Sequence, residues 1–99
     1  MRLSRANAAI LKQEVEKVFG REARVWLFGS RVDDTARGGD IDLLVEADVG
    51  IDEALDKELR LHARLIRRLG DQRIDIVVHR LGAPLLPIHK SAFRSGVRL

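Results

Sequence analysis

The sequence predicts an α/β domain in which three short strands form one sheet and amphipathic helices pack on at least one face of it. Three observations carry that expectation. Apolar, β-favouring runs recur at Arg24-Val25-Trp26-Leu27-Phe28, at Ile41, Leu43, Leu44 and Val45, and at Ile74-Asp75-Ile76-Val77-Val78. Between and around them the apolar period changes to that of a helix. Glycines close the helical stretches, Gly20 after the first and Gly70 after the longest.

Taken in order, roughly Ser4–Phe19 is a helix, since Leu11, Val15 and Val18 follow a 4-then-3 spacing behind Ser4 as a cap. The first strand ends at Gly29. Ser30–Gly39 is polar and reads as a loop with room for one helical turn, and the second strand opens on Asp40. Leu55, Leu59, His62, Ile66 and Leu69 repeat at 4-3-4-3 spacing, which predicts one buried face of a helix over Ile51–Leu69. After the third strand, Pro84 and Pro87 punctuate a loop, and Ile88, Ala92 and Phe93 mark a last helix before Gly96. The connection between the first two strands is long for a tight hairpin and short for a helical crossover, so strand direction stays open here.

Ninety-nine residues allow a single domain, 1–99, with a modest core. Hydrophobic residues make up 45% of the chain, the proportion of an ordinary globular domain. No cysteine is present, which excludes disulfides and Cys-ligated zinc and fits a cytoplasmic protein. No apolar run approaches the roughly 20 residues of a membrane span, and the charged start is unlike a signal peptide, so no membrane partner is expected. A net charge of +3 permits phosphate or nucleic-acid binding without requiring either.

Three aspartates stand out. Asp40 and Asp42 are two apart at a strand, so their side chains leave one face, roughly 6–7 Å apart along the backbone. Asp75 interrupts an otherwise apolar strand, where a lone buried carboxylate would be costly. Were the second and third strands neighbours, the three carboxylates would converge and raise one another's pKa values unless a cation neutralised them. Hard oxygen ligands of this kind suit Mg²⁺ or Mn²⁺ rather than zinc. Taken singly, Asp40 is an ordinary turn or cap residue, and Asp75 a partner for Arg73 or Arg24. Gly29 lets the backbone turn sharply after a buried strand and approach a ligand closely. The Ser30 hydroxyl and neighbouring N–H groups then suit phosphate oxygens, and Arg31 adds a charge-assisted contact. No Walker A loop and no dinucleotide fingerprint is present.

Together, the run Leu27-Phe28-Gly29-Ser30-Arg31 through Asp40-Ile41-Asp42 to Glu46, followed by Arg73-Ile74-Asp75-Ile76-Val77-Val78, resembles the polymerase-β-type nucleotidyltransferase superfamily. Within it the chain is similar to the small MNT group, antitoxin partners of HEPN ribonucleases. The resemblance spans nearly the whole chain. One departure is the spacing: nine residues, Arg31–Gly39, separate Ser30 from Asp40, where the usual pattern has ten.

The resemblance implies a small nucleotidyltransferase fold, with a three-stranded mixed sheet and about four helices. It also implies that Asp40 and Asp42 bind two Mg²⁺ ions, Asp75 binds one at the attacking hydroxyl, and Gly29, Ser30 and Arg31 hold the ATP phosphates. The expected activity is Mg²⁺-dependent transfer of AMP from ATP to a hydroxyl, with a tyrosine of a HEPN toxin as acceptor. Two alternatives are an antitoxin acting by contact alone, and a transferase for a nucleic acid or small molecule.

The remaining features have plainer expectations. Lys57, Arg60, Arg64 and Arg67 form a helical stripe read as a solvated face partly paired with acids. His62 is expected at the core edge, His79 and His89 as structural residues, Trp26 in the core, and Asp33 and Asp34 in the loop turn.

Overall fold

Ser4 starts the first helix because its hydroxyl accepts the Asn7 N–H at 3.0 Å, satisfying one of the donors a helix start leaves free. A computed structural model describes residues 3–29, 40–70 and 72–99. Helix α1 spans Arg5–Phe19 and ends where the Gly20 N–H donates to Glu16 O, with Gly20 at φ +102°. Strand β1 (Arg24–Phe28) pairs antiparallel with β2 (Ile41–Ala47), placing Phe28 opposite Asp42. Helix α2 (Ile51–Leu69) then carries the chain back, so that β3 (Ile74–Arg80) lies parallel to β2. Asp52 and Glu53 in its first turn and Arg67 and Arg68 in its last match the helix dipole. Helix α3 (Pro87–Ser95) precedes a two-residue strand β4 (Val97–Arg98), which pairs antiparallel with β1.

The sheet order is β3-β2-β1-β4. It is mixed, as expected, but has four strands rather than three, and the described residues contain three helices rather than about four. The extra strand forms only because α3 returns the chain to the open edge of β1, a long-range event with no local signal in two residues. The helical turn expected after Ser30 lies outside the described residues.

Alternation along the strands divides the sheet into two faces. Val25, Leu27, Ile41, Leu43, Val45, Ala47 and Ile74 face α1 and α2, where Leu11, Val15, Val18, Phe19, Leu61 and Leu65 complete the main core. The opposite face carries Trp26, Asp42, Leu44, Asp75 and His79 and is covered in part by α3, which buries Leu44 and Ala92. No described helix is long and apolar enough to cross a membrane.

Helix α2 buries a different stripe from the one its 4-3-4-3 pattern indicates. Leu61 and Leu65 are fully buried, whereas Leu55 and Leu59 are each 61% exposed and His62 is exposed. Only the C-terminal part of the expected face, Ile66 and Leu69, packs against the core. The helix has two adjacent apolar stripes, and the one nearer α1 wins. It wins because it also carries Arg64 and Arg68 to Glu14.

That contact is the main polar tie between the helices. The Glu14 carboxylate is fully buried, accepting from Arg64 Nε at 2.5 Å and from Arg68 NH1 at 3.1 Å, with Lys17 Nζ at 3.6 Å. Burial pushes its pKa up, but the two arginine hydrogen bonds and the charges of Arg64 and Lys17 outweigh this and hold it below the ordinary value. Elsewhere on the cationic stripe, Lys57 meets Glu53 at 3.7 Å and Arg60 meets Asp56 at 2.9 Å, the partial pairing expected of a solvated face.

Leu61→Ala should lower stability by about 2–5 kcal/mol in denaturant unfolding, while Leu55→Ala should stay within about 0.5 kcal/mol. Equal losses would return the helix to its expected face. Glu14→Gln should destabilise by about 1–3 kcal/mol near neutral pH, less than a wholly buried pair because the arginines touch solvent. The Glu14 pKa is depressed on folding, so its contribution is complete above the unfolded value and fades as pH falls through the folded one. Unfolding curves of wild type and Glu14→Gln should therefore converge in acid.

Candidate active site

The acidic cluster is assembled by strand register. Asp42 on β2 lies opposite Asp75 on β3, and extending that register by two residues brings Arg73 beside Asp40. All three carboxylates stand at the end of the sheet where β1 finishes and β2 and β3 begin. The expected convergence is thus met for Asp42 and Asp75. Asp40 sits just before the strand and turns toward Arg73, with Oδ2 3.4 Å from Nε. This is the arginine that sequence alone offered to Asp75. Among the described residues, no group of three His, Cys, Asp or Glu side chains is close enough to ligate one ion.

Asp75 is exposed, not buried as its apolar neighbours imply, because β3 is the edge strand and this stretch of its outer face is uncovered. Asp42 is half-buried and bears the electrostatic cost of the pair. Its pKa is raised first by burial, then by the charges of Asp75 and Asp40 and by the hydrogen bond to Asp75, with Arg73 opposing. Among the described residues that act on Asp42, acids thus outnumber bases. The donor set is all oxygen, which suits a hard divalent cation; one bound there would relieve the repulsion.

Gly29 closes the site from β1. Its φ is +77°, and a Cβ placed there would run into the Asp42 carboxylate. A glycine is therefore required both for the turn and for the close approach. Ser30, Arg31, Asp33 and Asp34 lie outside the described residues.

The other end of this face is structural. His79 is buried, with Nδ1 3.0 Å from Glu46 Oε2 and Nε2 3.0 Å from the Ala83 carbonyl. A carbonyl only accepts, so Nε2 carries a hydrogen. His89 accepts the Leu86 N–H on Nδ1 at 3.0 Å, and burial followed by the nearby His79 pushes its pKa down. Both histidines thus brace α3, as expected. Trp26 is half-buried on this face rather than in the main core, edge-on to Phe93 at 4.7 Å with the Arg98 guanidinium 5.2 Å from its ring.

A feature not expected from sequence borders the acidic pair. Glu58, Leu59 and His62 of α2, with Ile74, Asp75 and Ile76 of β3, line a cavity of about 340 Å³. Its sequence signal is the 4-3 spacing of Leu55, Leu59 and His62, a pattern that by itself predicts core.

The family model described as a nucleotidyltransferase domain matches residues 8–97, nine-tenths of the chain, and spans every element from α1 to β4. A search of curated proteins finds no match.

Asp42→Asn should raise the melting temperature by a few degrees at pH 7–8 in the absence of divalent ions. Each kcal/mol moves a domain of this size by roughly 4–8 °C. The folded pKa is raised, so ionisation of Asp42 costs stability as pH rises past its ordinary 3.8 and through the folded value. The advantage of the variant should accordingly vanish in acid. Added Mn²⁺ should raise the melting temperature of wild type and not of the variant; equal rises would remove Asp42 from the ion-binding set.

Proposed function

The chain belongs to the nucleotidyltransferase domain family, of the polymerase-β-type superfamily, and from that premise we propose that it transfers AMP from ATP to a hydroxyl of a partner protein. The observation that carries this reading is the Asp42–Asp75 pair with Gly29 pressed against it. Two carboxylates set side by side repel, and a domain this small has little stability to spare for such a pair unless it serves binding or chemistry.

In this reading Asp40, Asp42 and Asp75 would hold Mg²⁺, which would supply charge neutralisation for the phosphates. Gly29 lets the backbone lie close to the triphosphate, and Ser30 and Arg31 hold its β- and γ-phosphates. The acceptor oxygen attacks the α-phosphorus in line, the bond from that phosphorus to the bridging oxygen breaks, and pyrophosphate leaves. Asp75, exposed at the edge strand, lies on the acceptor side and takes the hydroxyl proton. The protein's part is chiefly to position these groups.

The acceptor we favour is a tyrosine of a HEPN-type ribonuclease toxin, which makes this chain the antitoxin. A contact-only antitoxin is the second reading, favoured by the exposed Ile51, Leu55 and Leu59 of α2, a surface suited to a protein partner. Purified chain, Mg-ATP and the partner toxin should give an adenylyl mass increment on the toxin, and Asp42→Asn should slow its appearance by roughly 100-fold or more. Silencing of the toxin by wild type and Asp42→Asn alike, with no increment, would establish the contact-only reading instead.

A further inference from the structure

The two outermost hydrogen bonds of the β2–β3 pair determine which way β3 presents its backbone. Ile41 N–H donates to Arg73 O at 3.0 Å, and Leu81 N–H donates to Ala47 O at 3.0 Å. In a parallel ladder these bonds assign the odd-numbered residues of β3 to β2. The N–H and C=O groups of Ile74, Ile76, Val78 and Arg80 therefore point away from the sheet, and no described strand lies beyond them. Such an edge is a template for another strand.

This edge forms one wall of the cavity beside Asp75; the other is the α2 stripe of Leu59 and His62, which continues N-terminally to Leu55 and Ile51 at four-residue spacing. The three aliphatic residues of the stripe are 61–69% exposed. Glu58 lines the cavity too, and burial pushes its carboxyl up, with His62 opposing. The groove thus carries Leu55 and Leu59 along α2 and, near Asp75, two carboxylates against one histidine. A phosphodiester backbone would meet Glu58 and Asp75 as like charges; a polypeptide with basic residues near its hydroxyl would not.

We propose that the groove between α2 and the outer edge of β3 is the acceptor subsite, and that it takes an extended segment of a partner polypeptide as an added strand. Main-chain bonds to Ile76 and Val78 would set the register, and alternate apolar side chains would pack on Leu55 and Leu59. A hydroxyl-bearing residue of that segment then lies beside Asp75, the one carboxylate shared by the groove and the acidic pair. The assignment rests on the transferase reading for its purpose, but not for its test.

The probe is a library of 12-residue peptides with alternating apolar residues, a central Tyr, Ser or Thr and flanking lysines. Amide hydrogen exchange is read in the full chain while adenylyl transfer is followed by mass. Bound peptide should slow exchange at Ile74, Ile76, Val78 and Arg80 by tenfold or more, in wild type and in Asp42→Asn. Leu59→Glu and, separately, Leu55→Glu should weaken that protection at least tenfold; both positions are exposed, so the fold should hold. Protection without transfer to any peptide supports the groove and counts against the transferase reading. Absence of protection with every peptide overturns the groove, whatever the transfer result. Labelling of an RNA 3′ end in preference to peptides, or protection of the same amides by self-association at rising concentration, overturns it as well.

Discussion

The parallel pairing of β2 with β3 is the constraint on which the rest of this molecule depends. Parallel neighbours need a crossover, and α2 supplies it, so one pairing dictates the position of the longest helix. The same register sets Asp42 against Asp75 and brings Arg73 to Asp40. A slip of one residue would turn Asp42 into the main core and Ile41 out of it, exchanging a tolerable acidic pair for an intolerable buried charge. The hydrophobic alternation of β2 therefore protects the site indirectly, by making every other register worse.

Carboxylates are treated in two opposite ways on the two faces of the sheet. Glu14 is fully buried yet held in its charged form, because two arginines and a lysine surround it. Asp42 is less buried yet pushed toward its neutral form, because its nearest charged neighbours are acids. The first arrangement ties α1 to α2. The second sets two carboxylates side by side at one end of the sheet. The Glu14 tie and the Asp42–Asp75 pair thus lie on opposite faces, joined by strands whose alternate residues point to each.

Helix α3 and the His79–Glu46 contact hold the far end of the functional face. Leu44 and Ala92 are fully buried there, while Asp75 stays exposed and Asp42 half-buried. Among the described residues the sheet is bordered at β1 by β4, and β3 is its other edge strand.

Much of this was legible in the amino-acid order. The limits of α1, β1 and α2 follow from local causes: the Ser4 cap, the Gly20 and Gly70 stops and the β-branched and aromatic runs. That Asp40 and Asp42 share a face follows from the two-residue period of a strand. A sharp turn at Gly29 was likewise expected from its place after a buried strand, but its close approach to Asp42 was not. What the chain order left open was every matter of partnership. The direction of β3, the fourth strand, the exposure of Asp75 and the choice of Arg73 for Asp40 rather than Asp75 all depend on contacts distant in sequence. The clearest case is α2, where the 4-3-4-3 stripe has the longer apolar run, yet Leu61 and Leu65 beside it are the residues fully buried. Only the fit of Leu61 and Leu65 against α1 and the sheet, with Arg64 and Arg68 reaching Glu14, selects the buried one. Leu55, Leu59 and His62 are left facing outward beside Asp75.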